Sequence, residues 1–537
     1  MFDDTIDISL TFSMGGASVS VKGGQVRELS LNLQPWAFQG EISFWVSSET
    51  EKDELLPLIQ SHDIMRVSLE TRAHLAAEGK KAVPLRLKGL VTEKALLHEL
   101  TVDNLDLKGD PVLFRYYRIC FSDEASVIWK QHYPADVLPD GTLKDLIASA
   151  ACGLPLEVSM EALSKVRSVN VLPGYTPGGG SFYDFIVWLT QMHDGVFFLD
   201  YESGGYALAS ERPRSANTVT MDRTIIQRWE VHYPKYHRYQ ERLRNSNTTK
   251  SETRVIERQH AAAGVYRDLL VRDAIDSTYE ARCTREKNRV RDRGAAIHLE
   301  HCQYPWFSFY PGKPVKLAGE VWSDASLLSG QTLRVFSVDL KAIAEATRPE
   351  TGRNLTHGHF SVTMRSMAEY HEDPFFELPP FIPPAYPIAV EGKVVSDKGK
   401  QEQKTYQIIE DTETSQAYQK VSLPIFGGRQ VVVPIGPGFA PGHFYFPPFK
   451  DQRVVVALEL HSAKITGYLD YRPGGQLPRD SQGNHVLFGK TEEDGTSIGH
   501  VYVDGKPQLN IRRTFGKDKA SLLVHEGSIV LETREDT

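Results

Sequence analysis

The segment from Asn484 to Thr537 carries turn signals at Asp494-Gly495, Asp504-Gly505, Gly516-Lys517 and Glu526-Gly527. Their spacing, about ten to twelve residues, is that of serial short strands. Between them lie the apolar runs Ile498 to Val503, Leu509 to Ile511, Leu522 to Val524 and Ile529 to Leu531, with no helical pattern to cover the expected sheet. A segment this short is near the limit at which a chain buries enough surface to offset its conformational entropy, and open strand edges invite aggregation. Three identical chains contributing strands to a common prism would bury the apolar face and pair the edges. The tail therefore predicts an obligate oligomer with Ile498, Val501, Val503, Leu509, Ile511, Leu522, Val524, Ile529 and Leu531 at its interface. The alternative is a small sandwich packed against the domain before it.

Upstream, the chain divides by texture. Residues 1–117 show short alternating runs such as Gly40-Glu41-Ile42-Ser43-Phe44-Trp45-Val46, the pattern of half-buried strands in a barrel or sandwich. Residues 118–215 form a smaller α+β insertion. There Leu143, Leu146, Ile147 and Ala150 follow Gly141-Thr142 at helical spacing, and a second helix begins at a capping box of Ser181 and Asp184. A hairpin follows, with Glu202-Ser203-Gly204-Gly205 as its turn. Residues 216–377 return to strands, broken by a charged helix near 276 to 291. Residues 378–387 are a proline-rich linker, since proline fixes φ and removes backbone donors. Residues 388–475 have the strand content of a small barrel, with Phe439, Phe446, Phe449 and Val455 as its packing residues. The whole is mainly β.

The chain of 537 residues is long enough for roughly three to four domains with separate cores. A formal net charge of -8 provides no polycationic face for a phosphate backbone, so nucleic acid is not an expected partner. The basic stretch Arg282, Arg285, Lys287, Arg289, Arg291 and Arg293 alternates with Glu286 and Asp292, as on a solvated helix face. Cys120, Cys152, Cys283 and Cys302 form no C-x-x-C pair. The N-terminus has no secretory pattern, and no apolar run reaches membrane-spanning length, so synthesis in the cytoplasm is expected.

Four chemistries could be read into these residues. Carboxylate pairs for glycoside hydrolysis need a domain, and only Gln476 to Gly483 separates the small barrel from the tail. His357, His359 and His371 approach metal-ligand spacing, and His298 lies near His301, but packing or surface histidines are the commoner explanation. Gly178-Gly179-Gly180-Ser181 precedes a helix without the lysine of a phosphate loop, which reads as a flexible lead-in. Phe439, His443, Phe444, Tyr445, Phe446 and Phe449 could form an aromatic platform for sugar or single strands, with only Arg429, Lys450 and Arg453 as nearby charge. The expectation is no enzyme activity, no catalytic residues, no cofactor and no metal.

The order of parts resembles VgrG proteins, the hub and spike subunits of contractile injection systems. The helix from Ser181 to Met192, His193-Asp194-Gly195 and the aromatic hairpin Val196 to Ala209 carry the likeness. Asp140-Gly141-Thr142-Leu143-Lys144-Asp145-Leu146-Ile147 is similar to the family's preceding helix. Tyr310-Pro311-Gly312-Lys313-Pro314-Val315-Lys316-Leu317 with Gly330-Gln331-Thr332-Leu333-Arg334-Val335 is similar to a passage of its second barrel. Gly438-Phe439-Ala440-Pro441-Gly442 and Phe446 to Val456 are similar to its oligonucleotide/oligosaccharide-binding (OB) type barrel. His461-Ser462-Ala463-Lys464 replaces that barrel's acidic turn. The likeness extends to phage baseplate hub-needle proteins and to spikes of extracellular phage-tail-like particles, which the short tail ending at Thr537 favours.

The resemblance implies two tube-like hub β-barrels (1–117 and 216–377), an OB-type barrel (388–475) and a C-terminal trimeric β-prism (484–537). Its implied partners are two other copies of the chain, an inner tube protein, baseplate proteins, a PAAR-like tip protein and toxin cargo, with membrane contact only transient, during piercing. It also implies assembly into a particle that is released from the cell. The alternatives are an OB-barrel protein that binds carbohydrate or single-stranded nucleic acid, and a phage needle with cell-wall hydrolase activity.

Overall fold

Strict alternation of apolar and polar residues builds most of this fold. In Ile6–Met14, Ile6, Ile8, Leu10 and Phe12 are buried while Asp7, Ser9 and Thr11 point outward, the signature of a strand with one face on a core. The computed structural model describes residues 6–47, 53–74, 81–103, 111–212, 217–246, 251–273, 276–289, 294–317, 326–346, 348–349, 356–374, 376–400, 405–410, 417–435, 448–470, 484–489 and 494–535. The chain is mainly β, with antiparallel sheets. It separates into two units, one of residues 1–133, 151–162 and 180–384, the other of residues 134–150, 163–179 and 385–537.

The first unit is organised by a 13-stranded sheet. Strands from 1–117 and from 216–377 meet in it edge to edge, where Val26–Gln34 pairs with Thr332–Ala344 in the register Leu31↔Leu340. The two β-rich segments read separately in the sequence thus share one hydrogen-bonded sheet. A smaller sheet of Gln240–Asn245, Glu252–Ile256 and Tyr266–Val271 packs against the helix Asp276–Arg289. Tyr279 and Cys283 on that helix join Leu243, Ile256 and Val271 in a core of their own. Most of the other helix side chains stay exposed, Arg285, Lys287 and Arg289 among them.

Beside this sheet, the helix Phe182–Met192 starts at the expected capping box: the Ser181 backbone N–H donates to Asp184 Oδ2 at 2.8 Å, and the Asp184 N–H donates to Ser181 Oγ at 3.4 Å. Its aromatic stripe packs on Trp129, whose ring is 5.5 Å from Phe182 and 5.1 Å from Tyr206. Each fully buried ring of this kind contributes about 1.5–3 kcal/mol through burial. The proline-rich segment lies against the same helix start, with the Ile382 N–H donating to Asp184 Oδ1 at 3.2 Å. A Cβ on Gly180 would sit 2.1 Å from the Ile382 carbonyl oxygen, so the glycine that reads as a flexible lead-in permits close packing.

In the second unit, a six-stranded sheet runs from Ile388–Val395 to Ala463–Asp470. Val394, Val421, Leu423, Val431, Val433, Val454, Val456 and Leu458 fill its core. Val137, Val169 and Val171 complete that core from a two-stranded ribbon of Ala135–Thr142 and Val166–Pro173. The stretch 118–215, read as one insertion, is therefore divided between the two units. Burial explains the division, because the ribbon's valines need a partner surface and find it here, while the aromatic helix finds its own in the first unit. The His461 turn anchors the ribbon: the Val171 N–H donates to the Leu460 carbonyl at 3.1 Å, and His461 Nδ1 lies 3.4 Å from the Val169 carbonyl.

Candidate functional site

The tail folds as an antiparallel meander of Asn484–Gly489, Asp494–Val503, Lys506–Phe515, Asp518–His525 and Ser528–Arg534. Asp504 and Gly505 both take positive φ, 50° and 77°, the conformation of a two-residue hairpin turn that follows strand twist. Gly516 and Gly527 occupy the same region in the next two turns.

Register sorts the side chains. Ile498, Ile511, Leu522 and Leu531 stand opposite one another in one cross-strand row, and His500, Leu509, Val524 and Ile529 in another. Opposed residues, and residues two apart along a strand, project to the same face. Ile498, Leu509, Ile511, Leu522, Val524, Ile529 and Leu531 therefore share one face. Val501 and Val503, opposed by Gln508 and Lys506, belong to the other. That other face also carries Lys519 and Glu532, 3.0 Å apart, and the ammonium's hydrogen bond holds the Glu532 carboxyl below its ordinary range.

Within the single chain none of the nine tail residues is buried, and Ile529 and Leu531 are 69% and 79% exposed. Covering each large side chain would stabilise an assembly by about 1.5–3 kcal/mol. Tyr502 and Phe515, also exposed, lie on the apolar face. They are not among the nine interface residues expected from the sequence. Stepping by two from Ile498 and from Ile511 would have found both.

Of the barrel residues, Phe439 and Phe446 lie outside the described residues, as does most of the aromatic platform. Phe449 is half-buried, and its N–H donates to Gln452 Oε1 at 3.0 Å. Val455 is half-buried on the face opposite Val454 and Val456, which enter the core. His357 Nδ1 lies 3.2 Å from Asp7 Oδ1, a contact that its spacing from His359 and His371 does not suggest.

The first unit holds a cavity of about 660 Å³ lined by Tyr201, Glu202, Arg212, Tyr310, Arg334 and Glu369, among others. Its polar groups engage one another. Arg212 and Arg334 both donate to Glu369 Oε1, the latter at 3.0 Å, and Arg334 also donates to the Asp373 carbonyl at 2.9 Å. Burial and neighbouring Glu202 push the Tyr310 phenol well above its ordinary range, so it remains a hydrogen-bond donor. Ser203 donates to Asp200 at 2.6 Å, but no imidazole stands among the lining residues to serve as a base.

Neither protein-family models nor curated protein sequences give a match. Solved structures do. The chain is similar to a chain of the PdpA-VgrG complex in its lidless form, with 11% identity, 99% of each chain covered and a TM-score of 0.72. It has a VgrG-like fold. Chains of the Francisella PdpA-VgrG complex in half-lidded and lidded forms match with the same identity and TM-score, over 88% and 80% of their lengths. The VgrG-like fold thus takes in the 13-stranded sheet, the second unit's core and the tail together.

Proposed function

We propose that this chain is the central hub and spike subunit of a contractile injection system, acting as a homotrimer and not as an enzyme. The observation that carries the proposal is the 99% coverage of both chains in the comparison with the PdpA-VgrG complex. The tail adds independent support, because among the described residues none of its large apolar side chains is buried within one chain.

On this reading, the two β-rich parts of the 13-stranded sheet are tube-like hub barrels. Their strands pair edge to edge at Leu31↔Leu340, and with two such units in each chain, three chains present six to a hexameric inner tube. The six-stranded sheet of the second unit is an OB-type barrel whose core is valine-rich. The meander of three chains winds into a prism that concentrates the force of contraction on a narrow tip. Baseplate proteins, a PAAR-like tip protein and toxin cargo are the partners, and the particle acts outside the cell that makes it.

The test is the native mass of the purified chain by light scattering. The expected value is three times the chain mass of 60.3 kDa. A stable folded monomer across the concentration range would overturn the proposal.

A further inference from the structure

We infer that Asp7, His74 and His357 form a binding site for a divalent cation of the zinc class. Among the described residues these three place one ligand atom each within 4.8 Å of one another. Asp7 lies on Ile6–Met14 with its side chain pointing away from the core, because Ile6 and Ile8 on either side are buried. His74 follows the neighbouring strand Arg66–Ala73, which pairs Ile6 with Ala73 and Asp7 with Arg72. His357 comes from the segment before Phe360–Tyr370, 350 residues along the chain from Asp7.

The spacing fits a metal. Asp7 Oδ1 is 3.0 Å from His74 Nδ1 and 3.2 Å from His357 Nδ1. Ligand bonds of about 2.0–2.1 Å in a tetrahedron put neighbouring ligand atoms about 3.3 Å apart. Two edges of the tetrahedron are therefore close to formed. The imidazole rings stand 5.4 Å apart at 70° to each other, converging without stacking. Two nitrogens and one oxygen suit zinc, and the exposure of both histidines leaves a fourth position for water. Arg72 Nε donates to Asp7 Oδ2 at 3.0 Å. That bond turns Oδ1 toward the imidazoles, as an outer-shell partner orients a ligand. A bound cation would displace the protons shared between carboxylate and rings, and would staple the first strand to a distant segment.

The experiment uses the full chain stripped with EDTA and titrated with Co²⁺, read by its visible absorption, and with Zn²⁺ by calorimetry. The expected result is saturable binding of one cation per chain. His74→Ala and His357→Ala each weaken it by roughly tenfold or more, with circular dichroism unchanged. Zinc raises the melting temperature of the parent chain and not of these two variants. No saturable binding up to about 1 mM would overturn the inference. So would binding that survives both substitutions together, or that is lost instead in His232→Ala, whose ring pairs with His298 at 4.6 Å.

Discussion

His301 ends the strand Ala296–His301, 7% exposed, with Nε2 2.8 Å from Ser366 Oγ. Burial pushes its imidazole down to about 4 from an ordinary 6.5. The folded chain therefore keeps it neutral where the unfolded chain accepts a proton. Stability from this group is complete above about pH 6.5 and is lost as the pH falls toward 4. At pH 5 the loss is about 2 kcal/mol, from 1.36 kcal/mol per pKa unit over the part of the shift then engaged. Urea unfolding at pH 7 and pH 5 checks this, with His301→Gln as reference. The parent chain is expected to lose about 2 kcal/mol more than the variant between the two pH values, and equal losses would show that another group carries the acid sensitivity. Nothing in the sequence around His301 announces this. The burial comes from strands that pair across the 13-stranded sheet, and a residue's solvation depends on partners its neighbours do not name.

At the scale of elements, local chemistry was legible and partnership was not. Ser181 and Asp184 are three residues apart, so the capping box needed no tertiary information. Ser181→Ala removes the hydrogen bond to the Asp184 N–H and leaves a half-buried carboxylate short of a donor. It is expected to cost about 1 kcal/mol, measured as a shift in the urea midpoint. An unchanged midpoint would mean that packing of Phe182 and Phe185 alone fixes the helix start. The ribbon of Ala135–Thr142 and Val166–Pro173 is the contrasting case. Alternation shows that Val169 and Val171 share a face, but the surface that buries them comes from strands beyond residue 390. Backbone pairing across the sheet is equally silent in sequence, so the union of the two β-rich segments at Val26–Gln34 and Thr332–Ala344 could not be read from either one. In the tail, the turns and apolar runs were legible, whereas the face of each residue required the register, which separates Val501 and Val503 from the other seven.

For the whole molecule, that separation yields the sharpest test of the proposed trimer. If three tails wind around a common axis, the face with Ile498, Ile511, Leu522 and Leu531 turns inward, and the face with Lys506, Lys519 and Glu532 turns to water. Leu522 is central in its row, flanked by Ile511 and Leu531. Leu522→Asp would then place three carboxylates around one axis, where desolvation and mutual repulsion both oppose assembly. Val501→Asp would put its charge beside Gln508 on the outer face and leave assembly nearly unchanged. Sedimentation of the two variants beside the parent chain is decisive. The proposal expects Leu522→Asp to dissociate at concentrations where Val501→Asp remains trimeric. Equal behaviour would mean that the apolar face is not the interface, and dissociation of Val501→Asp alone would place the contact on the opposite side of the sheet. Thermal melting of the hub signal should stay the same in both, since neither residue is buried within one chain.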